Sequence, residues 1–229
     1  AAVSGRFGGH LVGRVIHPSI MAAPPVPSRG HDTARPRRYA AGSMTRIIAG
    51  YAGSLTLAVP RSGTRPTSDR VREAIFSALE ARDAIDGTSA LDLYAGSGAL
   101  GLEAASRGAA EVVLVEKAKS AAEICRRNAD AIMRAARGGA RPRVRVAMRA
   151  VASYLESAVG TFDLVFIDPP YDLGDDELRE ALTLLVPRLS AHATVIIERA
   201  GRSAEPPLPD GLEHLRNKKY GDTTLWWVV

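Results

Sequence analysis

The chain has 229 residues, of which 46% are hydrophobic and 24% charged, and its formal net charge is +5. This composition is typical of one globular α/β domain with a small extension, and it excludes a fibrous or wholly disordered chain. The single cysteine, Cys125, excludes an internal disulfide framework and indicates a reducing compartment, so we expect a cytoplasmic protein. The sequence contains no run of roughly 18 apolar residues, so no membrane partner is expected.

The net positive charge comes from the first part of the chain. Residues 1–43 contain six arginines and one acid, Asp32, which leaves 24 basic and 24 acidic side chains in residues 44–229. The same segment is rich in Gly, Pro, Ala and Ser and has no helical or strand period. We predict that residues 1–43 are a flexible or non-native leader and that Met44 is the natural start. Only local clusters of charge can therefore indicate a nucleic-acid partner.

Residues 44–87 are predicted to form a small extension of the main domain. Two short apolar segments on either side of Gly50 predict a β-hairpin. A helix capped by Thr67 or Ser68 is expected after it, because apolar residues then recur at helical spacing.

Residues 88–229 alternate short apolar strands with helical segments, which predicts a mostly parallel sheet with helices on both faces. The last two apolar segments flank Tyr220-Gly221-Asp222 and predict an antiparallel hairpin. The predicted fold class is therefore α/β, with a seven-stranded, mostly parallel sheet, an antiparallel C-terminal strand and the N-terminal hairpin and helix as an extension. The predicted strands are Ala90–Tyr94, Val112–Val115, Val144–Ala147, Leu164–Ile167, Ala193–Glu198, His214–Lys219 and Thr223–Val229, and the predicted helices lie near 99–107, 118–136, 150–158 and 175–188.

A glycine-rich loop joins the first strand of this domain to a helix. Gly96, Gly98 and Gly101 allow a ligand to approach the backbone, and the helix N-terminus offers free N–H groups. Because Glu116 follows Gly96 by 20 residues, the spacing also matches a dinucleotide-binding fingerprint. Asp92 favours S-adenosylmethionine instead, since a carboxylate there suits an ammonium group and would repel a pyrophosphate. Glu116 would accept hydrogen bonds from the ribose hydroxyls of either cofactor.

The segment Asp168-Pro169-Pro170-Tyr171 follows a buried strand, at the sheet edge where open α/β sheets bind ligands. The two prolines fix the backbone and remove two N–H donors, so that carbonyls and the acid face outward. The Asp168 side chain and the Pro169 carbonyl would accept the two hydrogens of an aromatic amino group, and Tyr171 would stack on the base. These four residues are the predicted catalytic residues.

Three segments together resemble one family. The motif D-L-Y-A-G-S-G at residues 92–98, the tetrapeptide at 168–171 and the segment 63–74, which contains Thr-Arg-Pro-Thr, are similar to the bacterial RsmD-type methyltransferases of 16S rRNA, which modify N2 of guanine. The opening at residues 44–50 also matches, so the resemblance runs from Met44 to the C-terminus. It implies the Rossmann-like class I methyltransferase fold, S-adenosylmethionine as cofactor and one guanine of 16S rRNA as the target.

The resemblance and the motifs define the expected sites. No metal is expected. No acid follows the predicted strand Val144–Ala147 at the place where one often binds the adenine amino group of S-adenosylmethionine. We therefore expect backbone groups and apolar contacts near Met148 to hold the adenine. Four basic residues cluster beside the loop at residues 64–67, which could contact phosphates. The predicted cofactor-binding residues are Asp92, Tyr94, Ala95, Gly96, Ser97, Gly98, Glu116, Lys117, Met148 and Arg149, and the predicted RNA-binding residues are Arg61, Thr64, Arg65, Thr67, Arg70 and Arg72.

Several alternatives stay open. A DNA adenine-N6 or protein-glutamine methyltransferase would use a related tetrapeptide, and an NAD-dependent oxidoreductase would use a similar glycine loop. A non-catalytic RNA-binding module would tolerate the loss of Asp168. A second basic run, from Arg126 to Arg145, is interpreted as solvated surface. We expect a monomer whose partner is 16S rRNA, presented by an assembled or assembling small ribosomal subunit.

Overall fold

The computed structural model describes residues 44–60, 67–137 and 141–229. The predicted leader, residues 1–43, lies outside these ranges, as do the predicted RNA-binding residues Arg61, Thr64 and Arg65. In chain order the elements are β1 (Met44–Arg46), β2 (Thr56–Ala58), α1 (Asp69–Glu80), β3 (Ser89–Leu93), α2 (Ala99–Ser106), β4 (Glu111–Val115), α3 (Lys119–Ala135), β5 (Arg143–Ala147), α4 (Val151–Ser157), β6 (Phe162–Ile167), α5 (Asp175–Leu185), β7 (Leu189–Ala200), β8 (His214–Tyr220) and β9 (Thr223–Val228).

Within the described part of the chain, seven strands form one sheet in the order β5-β4-β3-β6-β7-β9-β8. The first five strands of that order run parallel to one another, whereas β9 runs antiparallel to both β7 and β8. The predicted mostly parallel, seven-stranded sheet with an antiparallel C-terminal strand is confirmed. Since the parallel strands alternate with helices, their carboxyl ends all lie at one edge of the sheet.

Hydrophobic side chains from both faces of the sheet pack under helices. One core lies between the sheet and α1, α2 and α3, and it includes Phe76 and Phe166, whose ring centroids are 5.6 Å apart. The other core lies between the sheet and α4 and α5. The central parallel strands β3, β4 and β6 are buried on both faces, which explains why their sequences are mostly apolar runs. The edge strand β5 is partly exposed, and its arginines alternate with apolar residues.

Two of the predicted elements differ from the structure by more than two residues at one end. The helix near 175–188 ends at Leu185 and continues as a short 3₁₀ turn, because Pro187 cannot donate the hydrogen bond that an α-helix needs. The predicted strand Ala193–Glu198 is longer at both ends, because β7 pairs with β6 from Leu189 and with β9 as far as Ala200. No helix in the described ranges is long and apolar enough to cross a membrane.

The predicted N-terminal hairpin is present as β1 and β2, and a buried carboxylate fastens it to the main domain. Glu103 of α2 is fully buried, and it accepts hydrogen bonds from the backbone N–H of Ile48 at 2.7 Å and of Ala49 at 3.0 Å. It also accepts a bond of 2.7 Å from Nε of Arg107. The hairpin is thereby held against α2.

Candidate functional site

The strand register aligns five residues in a row along the carboxyl edge of the sheet. Ala147, Val115, Leu93, Ile167 and Ile197 pair successively across β5, β4, β3, β6 and β7. The residue that follows each one therefore lies at the same level of the sheet. These five residues are, in order, Met148, Glu116, Tyr94, Asp168 and Glu198. Three of the five are carboxylates on neighbouring or next-neighbouring strands, so this edge is rich in hydrogen-bond acceptors.

The loop after β3 has the unusual backbone that its glycines predict. Gly96 and Gly98 have φ angles of +57° and +80°, and Tyr94 has a φ of +63°, which is uncommon for a residue with a side chain. Gly101 has a different role: a Cβ there would lie 2.4 Å from Cδ2 of Leu114 and 3.1 Å from Cβ of Asp92. The first two glycines shape the loop, and the third lets α2 pack closely on the sheet.

Asp92 lies inside the protein beneath this loop. The residue is 2% exposed, and its Oδ2 accepts a hydrogen bond of 2.9 Å from the backbone N–H of Gly101. Burial raises the pKa of Asp92 to about 7, the Gly101 hydrogen bond opposes that rise, and the negative charges of Asp168 and Glu116 add to it. The site therefore concentrates negative charge, which a cationic ligand would relieve.

Removing the charge of Asp92 should raise the stability of the ligand-free protein and lower its affinity for the cofactor. The folded-state pKa is raised, so the folded protein binds more protons than the unfolded chain between about pH 4 and 7 and loses stability as pH rises through this window. Asp92→Asn keeps an acceptor for Gly101 and removes the charge. We expect a melting temperature about 3 °C higher than the parent at pH 8, a smaller difference at pH 5, and weaker cofactor binding by calorimetry. A lower melting temperature at pH 8 would contradict this account.

A cavity of about 370 Å³ opens on the β4 side of the loop. This volume is within the range of small-molecule sites. Glu116 lines the cavity and accepts hydrogen bonds from the backbone N–H of Gly96 at 2.9 Å and of Ala118 at 2.7 Å. Lys117 and Arg149, both predicted to bind the cofactor, also line it. Met148 lies outside its lining and is 45% exposed.

The tetrapeptide lies on the other side of the same loop. Asp168, Pro169, Pro170 and Tyr171 line a narrower cavity together with Thr67, and Asp92, Tyr94, Ala95, Gly96 and Ser97 form the loop side of that cavity. Tyr94, Gly96, Asp168 and Pro170 line both cavities, so the two are parts of one cleft. Gly98 lines neither cavity, and its N–H donates to the carbonyl of Ala95 at 2.6 Å within the loop. The structure thus brings the glycine loop and the tetrapeptide together.

Asp168 is held by a residue from the extension. The hydroxyl of Thr67 donates to Oδ2 of Asp168 at 2.7 Å and lies 3.1 Å from Oε2 of Glu198. Burial raises the pKa of Asp168 to about 6, and the Thr67 hydrogen bond lowers it in part. Tyr171, by contrast, is 65% exposed at the mouth of the cleft. A carboxylate acceptor is therefore fixed at the wall of the cleft, with an aromatic ring free beside it.

Three of the predicted RNA-binding residues lie in the described part of the chain. Thr67 lines the cleft and donates to Asp168, and Arg70 is exposed on the first turn of α1, where both residues line one cavity. The prediction for Arg72 is wrong. Its side chain is fully buried and donates to Oγ1 of Thr45, to the carbonyl of Arg46 and to Oδ1 of Asp69. A guanidinium enclosed in this way cannot reach an external phosphate, so Arg72 fastens α1 to the hairpin.

Three carboxylates of the site were not predicted. Glu198 ends the row of strand-end residues, and Glu177 and Glu180 of α5 line the larger cavity. The position of Glu198 at the end of an apolar strand is a signal that could have identified it. Glu177 and Glu180 lie on a helix with several acids in its first turns, so nothing in the sequence distinguishes them from a solvated helix surface.

Comparison with known proteins gives consistent matches. The model of the family described as Conserved hypothetical protein 95 matches residues 45–229. A curated relative, Ribosomal RNA small subunit methyltransferase D of Escherichia coli K12, is 36% identical over 179 residues, which are 77% of this chain and 85% of that protein.

Solved structures also resemble the chain. A hypothetical protein of Thermus thermophilus has a TM-score of 0.66 and 29% identity, and the match covers 80% of this chain and 98% of that one. Magnesium protoporphyrin IX methyltransferase of Synechocystis, solved with S-adenosylmethionine, has a TM-score of 0.54 at 14% identity, with coverages of 69% and 77%. This last match concerns the fold alone, and it confirms the Rossmann-like methyltransferase architecture.

Proposed function

Because the chain belongs to the family of Conserved hypothetical protein 95, we propose that it methylates small-subunit ribosomal RNA from S-adenosylmethionine, at the exocyclic N2 of a guanine. The name of the Escherichia coli relative supports the rRNA substrate. The observation that carries the proposed chemistry is the placement of the Asp168 carboxylate in a cleft that also contains the glycine loop. Guanine N2 as the accepting atom comes from the resemblance of the motifs and is the finer part of the proposal.

The residues of the cleft fit S-adenosylmethionine. The glycine loop exposes its backbone to the cavity of about 370 Å³. Glu116 lines the β4 side of this cavity, and its carboxylate oxygens are suited to accept hydrogen bonds from ribose hydroxyls. Asp92 lies beneath the loop, where its negative charge suits the ammonium group of an amino acid. Glu177 and Glu180 add acceptors for amino groups. A pyrophosphate would meet these carboxylates with repulsion, which disfavours the dinucleotide alternative.

The tetrapeptide suits an amino group as acceptor of the methyl group. S-adenosylmethionine supplies an activated methyl group, so the protein has mainly to align the two reactants. The amino nitrogen is a poor nucleophile, because its lone pair is delocalised into the ring. In the proposed mechanism Asp168 and the carbonyl of Pro169 accept its two hydrogens, and Tyr171 stacks on the base. The S–CH₃ bond of the donor would break as the N–CH₃ bond forms, and the nitrogen would lose one proton, which Asp168 accepts or passes to water.

The proposal is tested by methyl transfer. The protein is incubated with radiolabelled S-adenosylmethionine and small ribosomal subunits that lack the modification, and the RNA is digested to nucleosides for mass spectrometry. Label in N2-methylguanosine is the expected result. Label in another nucleoside would overturn the guanine assignment, and absence of label in RNA despite cofactor binding would direct the search to DNA or protein. Parallel reactions on naked 16S rRNA test whether an assembled particle is needed to present the base.

The rate of transfer should depend on pH through Asp168. An ionised carboxylate accepts hydrogen bonds on both oxygens, whereas a protonated one carries a donor O–H on one of them and cannot take up the proton released by the amino group. Activity should therefore be present above the pKa of Asp168, about 6, and fall as pH drops through it. We expect about a tenfold loss of kcat per pH unit below that value. Thr67→Val removes the hydrogen bond that lowers this pKa, so the profile should move to higher pH. A profile that is flat between pH 5 and 8 would contradict the role of Asp168.

A further inference from the structure

A groove continues from the tetrapeptide toward the hairpin of β8 and β9. One cavity of about 410 Å³ lies between the start of α1 and this hairpin, and a second of about 440 Å³ lies against the turn after β7. Tyr171 and Lys219 line both, and Tyr171 also lines the cavity that contains Asp168. We name these two cavities together the hairpin groove. It therefore opens beside the place where the target base would lie.

Basic side chains surround the hairpin groove. Lys218 and Lys219 come from β8, Arg70 from α1 and Arg202 from the turn after β7, and all four are exposed. Residues 44–229 have no net charge, so this cluster is a local excess rather than a consequence of a basic domain. Three separate parts of the chain thus place basic side chains along the hairpin groove, as expected for a site that binds a phosphate backbone.

Other side chains of the groove suit bases and ribose. Tyr171 is 65% exposed, whereas Tyr220 is half-buried beside Lys218, whose Nζ is 5.3 Å from the Tyr220 ring centroid. An exposed aromatic ring such as that of Tyr171 stacks on unpaired bases. Glu198 and Asp222 also line the groove, and carboxylates accept hydrogen bonds from base amino groups and from the 2′-hydroxyl of ribose. These two carboxylates would not attract an acidic peptide. The combination of basic, aromatic and acidic side chains in one groove therefore favours single-stranded RNA as the ligand.

We propose that the hairpin groove binds the single-stranded RNA next to the target nucleotide, with Arg70, Arg202, Lys218 and Lys219 contacting its phosphates. This inference rests on the proposed function and assigns the substrate a path on the protein. A competing explanation exists for two of these residues, because lysines on an edge strand also prevent sheet-to-sheet aggregation, and β8 is an edge strand. That explanation requires no effect on RNA binding, so an experiment can separate the two.

The chain offers a matched control beside β5, the outermost strand on the side of the sheet away from β8. Arg126 and Arg127 are exposed on α3, which packs against β5, whereas β8 forms the other edge. Removing either pair changes the net charge of the protein by the same amount. A loss that depends only on total charge would therefore be equal in the two double variants, and a loss due to the groove would not.

The test uses the full chain and a fluorescent single-stranded oligoribonucleotide of mixed sequence, because contacts to phosphates do not depend on the bases. Binding of the parent, of Lys218→Ala/Lys219→Ala and of Arg126→Ala/Arg127→Ala is titrated at several salt concentrations. For the groove variant we expect about tenfold weaker binding and a salt slope smaller by about 1.4, which corresponds to two phosphate contacts. The α3 variant should bind within about twofold of the parent, and KM for rRNA should rise only in the groove variant. Melting temperatures verify that all three proteins are folded.

Equal affinity of the groove variant and the parent, or equal losses in the two variants, would overturn the inference. These outcomes are distinct from failure of the proposed function, which would appear as absence of methyl transfer by the parent itself. If the parent methylates rRNA and the groove variant retains the parental KM and salt slope, the reaction stands and the path of the RNA is elsewhere.

Discussion

Asp168→Asn should lower kcat for methyl transfer by about 100- to 1,000-fold. The asparagine has nearly the same shape, but its NH₂ group replaces one acceptor oxygen with a donor. An amino group that needs two acceptors would then meet a donor instead. Asp168 is one of many residues that line the cavity suited to the cofactor, so the Kd for S-adenosylmethionine should change by less than about threefold. Initial rates and calorimetry on the same preparation measure the two quantities.

A nearby acid provides the control for this variant. Asp172 follows the tetrapeptide directly, is exposed, and is not among the residues that line the described cavities. Asp172→Asn makes the same change of charge and should leave kcat within about twofold of the parent. If Asp168→Asn retained more than a tenth of the parental kcat, Asp168 would not be an essential acceptor. In that case the Pro169 carbonyl and alignment would have to account for the reaction.

Glu103→Ala should lower the free energy of unfolding by about 3–5 kcal/mol, because a buried ion pair loses one partner. Glu103 is fully buried, and its carboxylate accepts hydrogen bonds from two backbone N–H groups of the hairpin and from Arg107. Its Oε2 also lies 3.9 Å from Nη1 of the buried Arg72. The substitution leaves these donors without their acceptor inside the protein. Urea unfolding at pH 7, followed by circular dichroism, measures the loss.

Glu80→Ala is the control for the buried carboxylate. Glu80 also accepts a hydrogen bond from Arg107 at 2.7 Å, but its side chain is 53% exposed. Exposed ion pairs contribute little to stability, so loss of the Glu80–Arg107 pair should change the free energy of unfolding by less than about 1 kcal/mol. Similar effects for Glu80→Ala and Glu103→Ala would mean that burial of Glu103 does not govern the attachment of the hairpin.

The alternation of apolar strands and helices determined most of the fold. A parallel sheet buried on both faces requires apolar runs, and glycines and prolines mark where those runs end. The sequence therefore predicted the sheet, its reversed last strand and the loop that follows β3. Asp92, Glu116 and Asp168 lie at or directly after the ends of predicted strands, and parallel strands place their carboxyl ends together, which is why the three residues lie at one edge of the sheet.

Contacts between residues distant in the chain were decided only by the tertiary structure. Arg72 and Arg70 are two positions apart on one helix, yet one is fully buried and the other exposed, because α1 presents one face to the hairpin. Thr67 belongs to a segment predicted to contact RNA, and its hydroxyl donates to Asp168, 101 residues later in the chain. The sequence supplies the chemistry of each side chain and its place on a strand or helix. Which side chains meet depends on how the helices and the hairpin dock on the sheet, and local patterns carry no record of that docking.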